Sequence, residues 1–303
     1  MSVTPSQTLW SNGFNFTERI HQDTYPYINP MNADLSGRAV FITGASRGIG
    51  RATALSFTRA GASFIGIGAR SATELQSLED KIKSEAKKAG RGAPLIFRAT
   101  LDVTDIASSE ATAKGASEAF GGRLDVLINN AGYMDRLAPL ADSEPDDWWR
   151  TWEINIRGPY LVTRAFLPLM LATPGGLKTV VSLSSLGAHT LAVGGTAYNS
   201  SKLALLRFSE ILNVEYGAQG VLAFCVNPGG IETDMSRALD ESTAKAYLTD
   251  SIELPADSIV FLVQKRGEWL AGRYISCTWD MEDLLAKQTS IVEQDLLKVR
   301  MAV

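Results

Sequence analysis

Seven short runs of apolar and β-branched residues recur along the chain, each separated from the next by a segment long enough to form a helix. They read RAVFIT, ASFIGIGA, APLIFRATLDV, LDVLINN, LKTVVSLSS, VLAFCVN and RYISCTW. Several are apolar almost throughout instead of alternating, as parallel strands covered by helices on both faces must be. The spacers predict helices over IGRATALSFTRAG, closed by Gly61, and over 73–89, 106–120, 146–171, 198–217 and 255–266. Strands alternating with helices in this way make a doubly wound α/β sheet. No linker-like break follows residue 36, so the reading is a single domain over 36–303 after an N-terminal extension at 1–35. That extension is polar but carries Trp10, Phe14, Phe16, Tyr25 and Tyr27, more aromatic surface than a free tail needs, and is expected to pack on the body.

Composition removes several classes of function. With 29 Lys+Arg against 33 Asp+Glu, a net charge of −4 and no basic block, a nucleic-acid partner is not expected. Hydrophobic residues at 45% and charged residues at 20% fit an ordinary globular protein and not a disordered one. Cys225 and Cys277 are the only cysteines, both inside apolar runs, and read as buried free thiols, which excludes a disulfide-stapled framework. No signal peptide and no run of about 18 apolar residues is present, so neither secretion nor a membrane span is expected and the cytoplasm is the default location.

Chemistry enters at three places. The first strand runs into Thr43-Gly44-Ala45-Ser46-Arg47-Gly48-Ile49-Gly50 and then a helix. Here Gly44 permits the tight turn, Gly48 lets backbone approach a pyrophosphate, and Gly50 lets helix and strand pack closely, with the anion at the helix N-terminus. Tyr198 and Lys202 are four apart and share one helical face, where an ammonium can lower the pKa of a phenol. Ser185 ends the strand LKTVVSLSS, at the carboxyl edge where open α/β sheets bind ligands.

Together with NNAG at 129–132, Asn155 within EINIRG, and NPGGIET at 227–233, these motifs resemble the classical short-chain dehydrogenase/reductase family, and in particular members from filamentous fungi. The resemblance covers residues 36 to 280 or so. It implies a Rossmann-type, three-layer αβα sandwich around a seven-stranded parallel sheet, without a separate substrate domain. It further implies that Tyr198 is the general acid/base, that Lys202 holds the nicotinamide ribose, that Ser185 bonds the substrate oxygen, and that Asn155 supports a water relay. Asp102 and Val103 are placed at the adenine; Asn129, Ala131 and Gly132 along the cofactor; and Ile231 and Thr233, after Pro228 and Gly229, at the carboxamide. Gly187 departs from the family pattern, standing two residues after Ser185 where the third is commoner, at the edge of the substrate pocket. By the same resemblance 230–255 is the substrate loop and 281–303 a C-terminal tail.

An NAD-binding site of this kind has Asp or Glu at the end of the second strand to hold the ribose 2′-hydroxyl. Here Ala69 stands there, followed by Arg70 and Ser71, and Arg47 adds a second cation from the glycine loop. The expected cofactor is therefore NADP(H). No metal is expected, since His21 and His189 are the only histidines. The reading is an NADPH-dependent reductase of a ketone or aldehyde, with a small carbonyl or alcohol compound as substrate. Its rivals are an NAD-linked alcohol dehydrogenase, a same-fold epimerase or dehydratase, and a non-catalytic nucleotide-binding partner protein.

Three features keep two readings each. Met235, Leu239, Tyr247 and Leu248 either close over an apolar substrate or pack their own small lobe. His189 either lines the pocket or is a polar loop residue. Trp148, Trp149, Trp152 and Ile156 form a helical stripe that partly covers the sheet and partly serves a homodimer or homotetramer interface.

Overall fold

The computed structural model describes residues 13–238 and 241–301; Trp10 and Leu239 lie outside them. All seven strands form. In chain order they and the helices are β1 (Ala39–Thr43), α1 (Gly48–Arg59), β2 (Phe64–Ala69), α2 (Ala72–Lys88), β3 (Leu95–Thr100), α3 (Ile106–Ala119) and β4 (Val126–Asn129). There follow α4 (Pro145–Trp152), α5 (Gly158–Ala172), β5 (Thr179–Leu183), α6 (Tyr198–Tyr216), β6 (Leu222–Asn227), α7 (Glu241–Tyr247), α8 (Glu253–Lys265), β7 (Tyr274–Ser276), α9 (Met281–Ala286) and α10 (Gln288–Glu293). The sheet is parallel throughout, in the order β3-β2-β1-β4-β5-β6-β7. The order reverses between β1 and β4, which opens a crevice above their carboxyl ends.

Every residue of β1, β4, β5, β6 and β7 is buried, which is why these strands read as unbroken apolar runs. Successive side chains still go to opposite faces: Val40 and Ile42 join a core with Phe57, Leu78 and Ile259, whereas Ala39 and Phe41 join a second core with Leu127, Phe166 and Met170. Thus α1, α2 and α8 cover one face, and α3 and α5 the other. Edge strand β3 is partly exposed, and its Arg98 reaches Glu79 of α2 at 2.5 Å. At the opposite end of the sheet from the crevice, the fully buried Asp125 binds Arg123 at 2.6 and 2.7 Å, Arg38 at 3.0 Å, and the amides of Ala39 and Leu177.

The helix predicted over 146–171 is in fact two helices joined by a π turn at Glu153–Arg157. One extra residue in that turn rotates α5 relative to α4; Ile156 packs partly buried against the first core, whereas Trp148, Trp149 and Trp152 join neither core. Trp148 and Trp152 stack at 5.7 Å, and Trp148 Nε1 donates to Thr196 Oγ1 just before α6, while Trp149 stays 57% exposed.

Residues 13–34 form a strap along the far edge of the sheet. Ile20 bridges Trp279 in antiparallel fashion, Phe16 packs on the same indole at 5.0 Å, and Trp279 Nε1 donates to the Gly13 carbonyl. Arg19 binds Asp280, Glu282 and Asp283, and the Tyr25 hydroxyl accepts from the Met281 amide.

Candidate functional site

A cleft of about 1720 Å³ lies along the crevice between β1 and β4. Its floor is the glycine loop. Gly44 has φ +63°, and a side-chain carbon there would stand 2.9 Å from the Ala131 Cα, so the loop is held against the chain after β4 as only glycine allows. A side chain on Gly50 would strike the Gly44 carbonyl oxygen at 2.5 Å; Gly50 therefore lies beneath the cleft and secures the packing of α1 on the loop. Thr43 Oγ1 accepts from the amides of Asn130 and Ala131, and Asn130 Nδ2 donates to the carbonyls of Thr43 and Gly44. At the start of α1, Arg47 stands as N-cap but makes no side-chain cap bond, which leaves the first amides of the helix to face an anion.

One end of the cleft is cationic. Ala69 ends β2 without a carboxylate, and the exposed Arg70, the half-buried Ser71 and Arg47 line the cleft. Asp102 stands close by and binds the amide and hydroxyl of Thr104, which hold its carboxyl below its ordinary pKa, with Arg70 and Arg150 adding to the effect. Arg150 lies 4.8 Å over the Tyr133 ring.

At the other end Tyr198 and Lys202 line the cleft, whereas Ser185, which bonds Tyr198, is not part of its lining. Ser185 is extended at the end of β5, and its Oγ accepts from the Gly187 amide at 3.0 Å. Tyr198 opens α6 with its hydroxyl hydrogen-bonded to Ser185; burial pushes the phenol pKa up, and that bond holds it down. One turn on, Lys202 is 4% exposed, donates to the Leu183 carbonyl at 2.8 Å and stands 5.5 Å from the Tyr198 ring. Burial lowers its ammonium to about 8. The ammonium is not among the causes that move the Tyr198 pKa here: desolvation leads, the bond to Ser185 opposes it, and the net shift is upward.

Asn155 sits on the π turn, behind the wall. Its side chain clasps Tyr133, accepting from the backbone amide at 2.9 Å and donating to the carbonyl at 2.8 Å, and also donates to Ser201. The point where a side-chain carbon on Gly132 would stand is 3.5 Å from Asn155 Oδ1, 3.6 Å from Lys202 Nζ and 3.1 Å from the Met235 methyl. Four segments distant in sequence thus converge there.

Of the expected cofactor residues, Gly44, Ser46, Arg47, Gly48, Ile49, Arg70, Ser71, Asp102, Val103, Ala131, Gly132, Pro228 and Thr233 line the cleft. Asn129 does not. It is buried at the end of β4 and donates to Thr163, whereas its neighbour Asn130 faces the cleft. Gly229 and Ile231 are also set back, in a turn held by Asp250, which accepts from the Gly230 amide at 2.7 Å and bridges to Ile231. Met235 and Leu248 line the wall, but Tyr247 is exposed and outside it. His189 turns away, edge-on to Tyr274 at 4.7 Å, and burial lowers its pKa.

The short chain dehydrogenase family model matches residues 38–244. The chain belongs to the short-chain dehydrogenase family. This short-chain dehydrogenase is 48% identical over 291 residues to the short chain dehydrogenase citE of Monascus ruber, covering 96% of this chain and 98% of that one. It is 44% identical over 299 residues to pigC of the same fungus, covering 98% and 97%. Among solved structures it resembles a short chain dehydrogenase of Shigella flexneri 2a complexed with NADP, with a TM-score of 0.69 and 26% identity over 80% of this chain and 98% of that chain. The family consists of oxidoreductases that use nicotinamide cofactors on small molecules, and the curated relatives named here are fungal. Among the described residues no helix is long and apolar enough to cross a membrane.

Proposed function

We propose that this short-chain dehydrogenase is an NADPH-dependent reductase of a ketone or aldehyde. The observation that carries the reading is a Tyr198 hydroxyl bonded to Ser185 and backed by the buried Lys202, at the far end of a cleft whose other end is cationic. The cleft exceeds the roughly 300–1,000 Å³ of a single small-molecule site, which supports a dinucleotide and a substrate side by side. The residues present suit that dinucleotide: the open α1 terminus and the Gly44 cradle fit the diphosphate, and Arg70 with Ser71 fits a 2′-phosphate. When bound, the dinucleotide supplies the hydride.

In this reading Tyr198 and Ser185 aim two hydroxyls at the substrate oxygen, where negative charge develops as the carbonyl carbon accepts the hydride. Tyr198 gives its proton to that oxygen, completing the alcohol. Tyr198 is protonated at neutral pH, as the donor role requires. An ammonium has three N–H groups; Lys202 uses one on Leu183, leaving donors for the ribose hydroxyls. Asn155, its amide engaged with Tyr133 and Ser201, positions the cleft wall. The reading includes the cytoplasm as location and a homodimer or homotetramer, the latter supported by exposed Leu203, Ile211 and Val214 along one face of α6.

The test is oxidation of NADPH and of NADH on a panel of ketones and aldehydes, with Arg70→Ala alongside wild type. NADPH is expected to give the higher kcat/KM, and Arg70→Ala to cut that preference by about 10- to 150-fold, the loss of one charge-assisted hydrogen bond. A wild-type preference for NADH overturns the cofactor assignment, and no turnover of any carbonyl overturns the reductase.

A further inference from the structure

Arg47 is not waiting empty-handed for a phosphate. Its Nη1 lies 2.7 Å from Asp234 Oδ2, joining the glycine loop to the segment after β6. That segment is laid directly over the loop: the Thr233 methyl is 3.6 Å from where a side-chain carbon on Gly48 would stand. A tight turn sets the direction of Asp234, since Ser236 Oγ accepts from the Thr233 amide and donates to the Thr233 carbonyl. Both members of the pair line the cleft, and both are more than a third exposed, Arg47 at 61% and Asp234 at 37%. By contrast, among the described residues Arg70 has no ion pair within 4.0 Å.

A carboxylate and a phosphate monoester compete for the same guanidinium geometry, each able to take two parallel N–H bonds from it. We propose that Asp234 is a specificity-determining residue, an internal competitor that occupies Arg47 in place of the cofactor 2′-phosphate. The inference rests on the NADP(H) reading above and deepens it. The phosphate first meets Arg70 alone, and gains Arg47 only by displacing Asp234, whose charge meanwhile repels it. NADPH affinity is thereby lowered while NADH, which has no 2′-phosphate, is unaffected. The two cations expected to act alike are thus unequal: Arg70 discriminates at full strength and Arg47 at a discount set by Asp234. Glu232, on the same wall, supplies a control for simple negative charge.

The test needs no turnover. Adenosine 2′,5′-bisphosphate and 5′-AMP, which differ only in the 2′-phosphate, are titrated by calorimetry into wild type, Asp234→Asn, Arg47→Ala, the double variant and Glu232→Gln. Asp234→Asn is expected to tighten the bisphosphate by about 2- to 5-fold, the range of an exposed ion pair, and to leave 5′-AMP unchanged. In the Arg47→Ala background the same substitution is expected to do less, relieving only the repulsion by the Asp234 charge, and Glu232→Gln is expected to fall short of Asp234→Asn. The proposal is overturned if Asp234→Asn changes neither ligand, changes both equally, or acts as strongly without Arg47, or if Glu232→Gln matches it. A wild type that prefers NADH in kcat/KM fails the reading of the cofactor, whereas these titrations read the competition for Arg47 directly, so the two failures are told apart.

Discussion

Lys202 is a cation buried without a carboxylate, and replacing it should expose what that costs. Its pKa falls from 10.5 to about 8 through desolvation. At about 1.36 kcal/mol per unit, the charged form is penalised by roughly 3.4 kcal/mol in the folded chain. Below pH 8 the lysine is protonated both folded and unfolded, and the whole penalty is present. Between pH 8 and 10.5 the unfolded chain holds more protons than the folded one, so stability rises with pH as the penalty lifts. Lys202→Met keeps the length of the side chain and removes the charge, at the expense of the bond to the Leu183 carbonyl, about 1–3 kcal/mol at every pH. The variant should therefore be as stable as wild type or up to about 2 kcal/mol more stable at pH 7, and its standing relative to wild type should drop by about 2.5 kcal/mol by pH 10. Urea unfolding of both proteins at pH 7, 8, 9 and 10 measures this, and the difference largely cancels groups that titrate alike in both. A stability difference that stays flat across those pH values would refute the claim that Lys202 is held against its own charge.

Tyr198→Phe removes one hydroxyl and little volume, and should lower kcat by about 10²- to 10⁴-fold while NADPH Kd changes little; equal turnover by variant and wild type would remove Tyr198 from the proton path. Asp125→Ala strips both Arg38 and Arg123 of their buried carboxylate, and should destabilise the fold by about 3–5 kcal/mol in urea titration with an unchanged m-value. A loss under 1 kcal/mol would mean that water replaces the carboxylate at that end of the sheet.

The sheet was legible because a strand buried on both faces has little freedom in composition: VLAFCVN and LKTVVSLSS can hardly be anything else once turns bound them. The π turn was not, because EINIR holds no glycine or proline to interrupt a helix and one inserted residue leaves no compositional mark. Ser185, Tyr198 and Lys202 were legible because the sheet edge and one helical turn bring them together from short separations. Choosing between Asn129 and Asn130 required knowing on which residue the strand stops alternating. The pairing of Arg47 with Asp234 joins residues far apart in sequence, and no local pattern announces a contact of that range. The direction of the Tyr198 shift was missed for a related reason: spacing reports which charges are near, but not how much water has left.

The strap also bears on how the protein is made. Trp279 Nε1 reaches back 266 residues to the Gly13 carbonyl, and Arg19 reaches 264 residues ahead to Asp283. During synthesis at roughly 5–20 residues per second, the strap would emerge about 13–53 s before the indole that it packs against. Through that interval Phe16 and Ile20 have no partner on the nascent chain, and only the earlier βα units can settle. Closing so long a loop is the kind of contact that slows a folding reaction and exposes it to aggregation. The segments around Gly13 and Trp279 must therefore find each other late, and the edge beside β7 is the last part of the sheet to be finished.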